Sequence, residues 1–306
     1  MKVTLLGPQR RPTLGTVAGS LPAGQPIATI NAGWQEREDD DAELSKLLGG
    51  RDVNLRLHWR WLDVAEREPG FAAAERAVQA VLGELQALYL LRLDHALEAV
   101  YDLQRRSGSD RLRASVLAES LAAVQELDAA HLHRVSQVRL NFYGQLQPHN
   151  RPVIAEHRAE VAGVLDGACA LVVAGGHVGV LADVLHLFNI AAALRSPVIA
   201  WSAGAMALAE RIVLFHDRSA HGPGHPEVYA SGLSVVRDMV PLPHARTRLL
   251  LDDAPRMAVF ARRFAPARCV LLDNGTRLDV DNGAESWPAA TRVLAEDGRV
   301  TFLEAA

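Results

Sequence analysis

The chain has 306 residues, enough for one large or two medium domains, and its 49% hydrophobic and 22% charged content suits a sizeable core and argues against disorder. A formal net charge of −4 argues against a general electrostatic footprint for nucleic acid. The two cysteines, Cys169 and Cys269, lie in apolar runs and read as core residues of a reducing compartment, not as a disulfide framework or metal site. No apolar run approaches the ~20 residues needed to cross a bilayer, and MKVTLLGPQRR reads as a first strand and not a signal peptide. The expected setting is therefore cytoplasmic, with no membrane and no nucleic acid as partner.

In chain order, residues 3–7 read as a buried strand, and the Gly- and Pro-rich stretch 8–25 as a loop. Residues 26–32 form a second expected strand, 40–48 a short helix ended by Gly49-Gly50, and 54–59 a third strand by alternation. From about residue 70 the chain lacks breakers. Val78, Leu82, Leu85, Tyr89, Leu93, Leu97 and Val100 recur at helical spacing, and after Ser107-Gly108-Ser109-Asp110 a second periodic run begins. The expectation is a helical hairpin or subdomain over 68–146, with Gly83 as its weak point, inserted in a single α/β unit built from 1–67 and 147–306. His95, His131 and His133 read as surface or core-edge residues. Residues 169–176 are a strand ending in two glycines, 177–187 a helix, 197–201 a strand and 205–215 an apolar helix. A polar loop, a short strand at 232–236, a helix, and strands with Asn-Gly and Asp-Gly turns close the sheet. Alternating strands and helices imply a mostly parallel, three-layer α/β sheet, with ligands at the carboxyl ends of its strands.

Two of those strand ends carry chemistry. Ser202 stands between a strand and a helix, flanked by Ala203 and Gly204. A serine on such a turn has the layout of a nucleophile elbow: small neighbours let the chain bend, and the helix N-terminus aims N–H groups at developing negative charge. The position two before the serine, usually Gly, is Ala200 here. The other end is Gly175-Gly176-His177. A serine nucleophile needs a base and a group to hold it. His216, His221, His225 and His244 are all candidates for the base, and Asp217 is a nearby acid. The residues alone do not choose among them. The set His216, Asp217, His221, His225 and Glu227 has irregular spacing on a Gly/Pro loop and reads as loop polarity, not as a metal site.

The motifs LVVAGGHVGVLADVL, Trp201-Ser202-Ala203-Gly204-Ala205, Asp217 fifteen residues after the serine, and Pro241-Leu242-Pro243-His244 together resemble the peptidase E and cyanophycinase family of serine hydrolases. That family has the class I glutamine amidotransferase-like, flavodoxin-like fold. The resemblance covers about 1–60 and 150–285 and leaves the helical stretch as an insertion. It implies a triad of Ser202, His244 and Asp217, an oxyanion hole from the N–H groups of Ala203 and Gly176, and substrate contacts from His177, Arg246 and Arg248. It implies no cofactor and no metal. The family's acid near LLDNGT falls on Asn274 here, which turns the expectation toward Asp217. The expected reaction is cleavage of a small peptide or amide through an acyl-enzyme on Ser202. The rival reading is an inactive relative acting as a scaffold through its helices, and the long amphipathic segment is compatible with a homodimer. A glutamine amidotransferase activity is the poorer fit, since neither cysteine lies on an elbow.

Overall fold

The computed structural model describes residues 1–9, 13–107, 109–218, 224–281 and 291–303. The first part of the chain runs β1 (Lys2–Leu6), α1 (Leu14–Gly19), β2 (Ile27–Ile30), α2 (Ala42–Leu47), β3 (Asp52–Asn54), α3 (Leu57–Arg67), α4 (Pro69–Arg105) and α5 (Asp110–Leu146). It continues with α6 (Pro152–Gly167), β4 (Ala170–Val173), α7 (Val178–Leu187), α8 (Ile190–Ala193), β5 (Val198–Trp201), α9 (Ala203–Leu208), β6 (Arg211–Leu214) and β7 (Glu227–Ser231). The last part is β8 (Met239–Pro243), α10 (Ala245–Arg248), α11 (Ala254–Phe264), β9 (Arg268–Leu272), β10 (Arg277–Asp281), β11 (Arg292–Leu294) and β12 (Val300–Phe302).

The main sheet has the order β10-β1-β5-β4-β2-β3 and is parallel except for β10. Strands β2, β4 and β5 are buried at every residue, as a sheet covered on both faces requires. The period of two sorts their side chains: in β4, Leu171 and Val173 join one core with Leu181 and Phe188, while Ala170 and Val172 join another with Leu14, Val17 and Leu48. The fold is thus mixed α/β with a parallel sheet and a long helical region. A second sheet, β12-β11-β9-β8, has β8 and β9 parallel, and β6 and β7 pair by themselves. The closing strands therefore split, with β10 on the main sheet and the rest on the second.

Other local expectations change. The stretch 54–59 is not a strand: β3 pairs with β2 over Asp52–Asn54 and ends there, and Arg56, at φ 51°, turns the chain into α3. The buried Glu38 carboxylate caps that helix, accepting from the N–H groups of His58 (3.1 Å) and Trp59 (2.9 Å). Burial raises its pKa above the ordinary value, against those two hydrogen bonds. Leu55 and Leu57 are buried as the alternation required, but at a strand exit and a helix start. Within 8–25, α1 forms because the Gln9 side chain accepts from the N–H groups of Thr13 and Leu14 while Leu14 and Val17 bury. The helix expected over 205–215 stops at Leu208, and its second half is β6, whose partner β7 lies more than ten residues on. An unbroken apolar run fits either element. At 232–236 only an isolated bridge forms, between Ala209 and Val236.

Helices α4 and α5 each span 37 residues, about 55 Å at 1.5 Å per residue, and α4 runs unbroken through Gly83. They form a hairpin whose stripe of Leu82, Tyr89, Leu93, Leu97 and Val100 packs with Leu121, Val124, Phe260 and Phe264. A buried polar network fixes the register. Arg263 of α11 donates through Nε and Nη2 to the two oxygens of Asp128, both at 2.7 Å, and to the Tyr89 hydroxyl at 2.9 Å. Tyr89 donates to Asp128 at 2.8 Å and accepts from the Val228 N–H. Beside it, His131 is buried, stacks on Tyr89 at 4.0 Å and hydrogen-bonds Gln86. Among the described residues, no helix is long and apolar enough to cross a membrane.

Candidate active site

Strands β4 and β5 are neighbours, so their carboxyl ends open into one crevice. Ser202 leaves β5 at φ 51°, ψ −124°, a sparsely populated region for a residue with a side chain, and α9 begins at the next residue. Such a backbone costs on the order of 1–3 kcal/mol and is held only where the surroundings insist. Here they do: Gly175 approaches the Ser202 Cβ closely, and Gly204 packs against the end of β4. A Cβ on Gly204 would stand 2.4 Å from the Val173 carbonyl oxygen and 2.7 Å from that of Ala174. Gly204→Ala is therefore expected to destabilise the fold by about 1–3 kcal/mol and to displace Ser202, as urea denaturation and Ser202 labelling would record together.

The histidine comes from the other sheet. His244 follows β8, its N–H donates to the Leu272 carbonyl of β9, and at φ 59° it turns the chain into α10. Asp273, buried at the end of β9, fixes that turn. Its Oδ1 accepts from the Arg246 N–H at 3.0 Å, and its Oδ2 from Arg292 at 3.2 Å. The outcome is a Ser202 Oγ to His244 Nε2 distance of 3.4 Å, across 42 residues of sequence. At 3.4 Å the two atoms stand at the outer edge of hydrogen-bond distance.

Asp217 is placed otherwise than expected. Its Oδ1 accepts from Arg256 at 2.7 Å and its Oδ2 from the Leu250 N–H at 3.1 Å. Its own N–H donates to the Arg248 carbonyl. Among the described residues no hydrogen bond joins it to the His244 ring, so the expectation that it holds that ring directly is not met. The physical reason is burial: its side chain is 0% exposed and is paired with Arg256 at 2.7 Å. It braces the segment 248–250 after α10, which locates His244 only at one remove. The neighbouring polar residues diverge: Glu227 accepts from Gln86, and His225 stacks on Tyr101 at 5.7 Å. His221 lies outside the described residues. No group of three or more metal-ligating side chains occurs among the described residues.

A cleft of about 380 Å³ contains Ser202 and His244, with Gln9, Trp34, Gly176 and Arg248 among its walls. Gly176 has φ 119°, and a Cβ there would overlap the Gly33 carbonyl at 2.3 Å, so only glycine carries the chain past that point. Neither the Gly176 nor the Ala203 N–H donates a hydrogen bond among the described residues. Arg248 is half-buried, and its guanidinium has no ion-pair or hydrogen-bond partner among the described residues; burial alone lowers its pKa from the ordinary value. The other two expected substrate contacts are elsewhere. His177 is exposed, caps α7 by accepting from the Val180 N–H, and is not a wall of the cleft. Arg246 is 68% exposed over Asp273 and lines a separate depression with Arg218, Arg292 and Arg299.

The residues that sequence reasoning missed are Asp273, Arg256 and Gln9. Asp273 stood one place before Asn274 in LLDNG, where a carboxylate at a strand end was the available signal; Asn274 itself is exposed. Both cysteines are free, and burial pushes the Cys269 thiol up to about 12, far from a nucleophile's range.

No protein-family model matches the sequence, and no curated protein matches it. Among solved structures, the chain is similar to one described as the crystal structure of a peptidase from an acI-B1 Actinobacterium. The TM-score is 0.47 and the identity 14%, over 100% of this chain and 94% of that one.

Proposed function

We propose that the protein is a serine hydrolase of the peptidase E type, cleaving a small peptide or amide through an acyl-enzyme on Ser202. The observation that carries this reading is the strained strand-to-helix serine with its Oγ 3.4 Å from His244 Nε2. In the first half-reaction, Oγ attacks the scissile carbonyl carbon as His244 Nε2 takes its proton. The imidazolium then gives that proton to the leaving amine as the C–N bond breaks. Water, deprotonated by the same nitrogen, then attacks the ester carbonyl, and the imidazolium gives that proton to Oγ as the bond between Oγ and the acyl carbon breaks. The Gly176 and Ala203 N–H groups are the donors for the oxyanion in both steps, a role suited to groups not already engaged.

Arg248 gives the cleft its fixed positive charge. A half-buried guanidinium without an anion is satisfied when a ligand brings one. The substrate of this reading therefore carries a carboxylate within reach of Arg248, with Arg246 and His177 taking no direct part. Asp273 acts as a positioning residue by holding the turn that carries His244.

The test is a fluorophosphonate probe followed by peptide mapping. The expected result is a single adduct on Ser202, absent in His244→Ala. A folded protein that takes no label, and that hydrolyses no member of a dipeptide and amide panel, overturns the reading in favour of an inactive scaffold.

A further inference from the structure

The outward face of α4 carries an apolar stripe that the fold leaves uncovered. Val81 is 46%, Leu88 54% and Leu91 59% exposed, and Leu85 is half-buried beside them. At about 100° per residue these side chains lie within roughly 60° of Leu88, while the core-facing Leu82, Tyr89, Leu93 and Leu97 occupy the other side. The same face holds two exposed charges, Glu84 and Arg92, and neither makes an ion pair among the described residues.

The order of residues on this face is a mirror about Leu88. Glu84 stands four residues before it and Arg92 four after. Leu85 and Leu91 stand three before and three after, Val81 and His95 seven, and the exposed Ala77 and Ala99 eleven. In an antiparallel pair of identical helices crossing on a two-fold axis at Leu88, a residue before the centre faces its mirror position on the other copy. Leu88 then packs on Leu88, Leu85 on Leu91, and Glu84 meets Arg92 twice, once on each side of the axis. A parallel pairing would bring Glu84 against Glu84 and Arg92 against Arg92, which like-charge repulsion disfavours. Small residues at the ends, Ala77 and Ala99, leave room for the helices to diverge at their crossing angle.

We propose that this face of α4 is the seam of an antiparallel homodimer, with a second copy of this chain as its occupant and Leu88 on the two-fold axis. The proposal is independent of the hydrolase reading, since the seam shares no residue with the Ser202 cleft.

Sedimentation equilibrium of the full chain, at about 1–100 µM in low salt, tests it. The unmodified protein is expected to have twice the chain mass. Leu88→Glu sets two carboxylates face to face on the axis and is expected to give a monomer with an unchanged helical circular dichroism spectrum, because the position is exposed. Glu84→Arg and Arg92→Glu are each expected to weaken association roughly tenfold or more, and the double exchange to restore it. That rescue is what a merely hydrophobic or unrelated contact would not give. A monomer throughout the range overturns the proposal. So does a dimer indifferent to Leu88→Glu, or one that the double charge exchange fails to recover.

Discussion

Ser202→Ala is expected to lower kcat/KM for a responsive dipeptide or amide by roughly 10³- to 10⁶-fold, with circular dichroism and denaturation midpoint unchanged. Under the proposed mechanism the loss is large because the hydroxyl is the atom that would bond to substrate, and because Ser202 already occupies the strained turn, so that alanine inherits the backbone without the Oγ. His244→Ala is expected to fall in the same range, and the double variant to be no worse than either single one, since nucleophile and base act as one unit. Asp217→Asn separates this arrangement from a conventional triad. Both Asp217 oxygens are taken by Arg256 and the Leu250 N–H. The variant should therefore leave kcat within a few-fold of the parent and lower stability by about 1–3 kcal/mol, as a buried pair is weakened. A kcat loss as deep as that of His244→Ala, in a folded protein, would show that Asp217 acts on the imidazole after all. Arg248→Ala is expected to raise KM for carboxylate-bearing substrates more than for their amides.

The second large effect is on stability and lies at the root of the hairpin. Arg263 is 2% exposed and divides its donors among Asp128, Tyr89 and the Pro226 carbonyl. Burial disfavours its charge, but the hydrogen bonds and field of Asp128 outweigh that, and its pKa lies above the ordinary value. Burial likewise pushes the Tyr89 phenol up, so it stays a donor to the carboxylate. Arg263→Met leaves Asp128 charged and buried with one remaining side-chain donor. The expected cost is about 3–5 kcal/mol, read as a lower urea midpoint. Removing both charges, in Arg263→Met with Asp128→Leu, is expected to recover a large part of it, because neither partner is then stranded. An Arg263→Met protein as stable as the parent would mean that the hairpin docks through its apolar stripe alone.

The main elements were legible where local chemistry and tertiary packing agree. The all-buried strands 170–173 and 198–201, the Gly175-Gly176 and Ser202 turns, and the two long helices each announce themselves within ten or twenty residues. The misreadings fall where a distant partner decides. The Glu38 carboxylate converts residues after Asn54 into a helix start, and pairing with β7 draws the apolar run after Leu208 into a strand. Propensity cannot see a cap 20 residues away or a ladder formed with a later strand.

For the candidate site the division is similar. By itself the sequence determined the elbow serine and its small neighbours, because only glycine clears the carbonyls packed there. It also determined the two long helices by their apolar period, but the exposure of Val81, Leu88 and Leu91 on α4 came only with the fold. Family resemblance, not residue chemistry, singled out His244 among the candidate bases. Only the tertiary structure brought Ser202 to His244, since they sit on different sheets and meet where β5 and β8 end. It alone assigned the charged side chains: Asp217 to Arg256, Arg246 to the rim over Asp273, and Arg248 to the cleft. Backbone turns are written in short-range sterics, whereas the partner of a long charged side chain depends on which opposite charge the completed fold leaves within its reach.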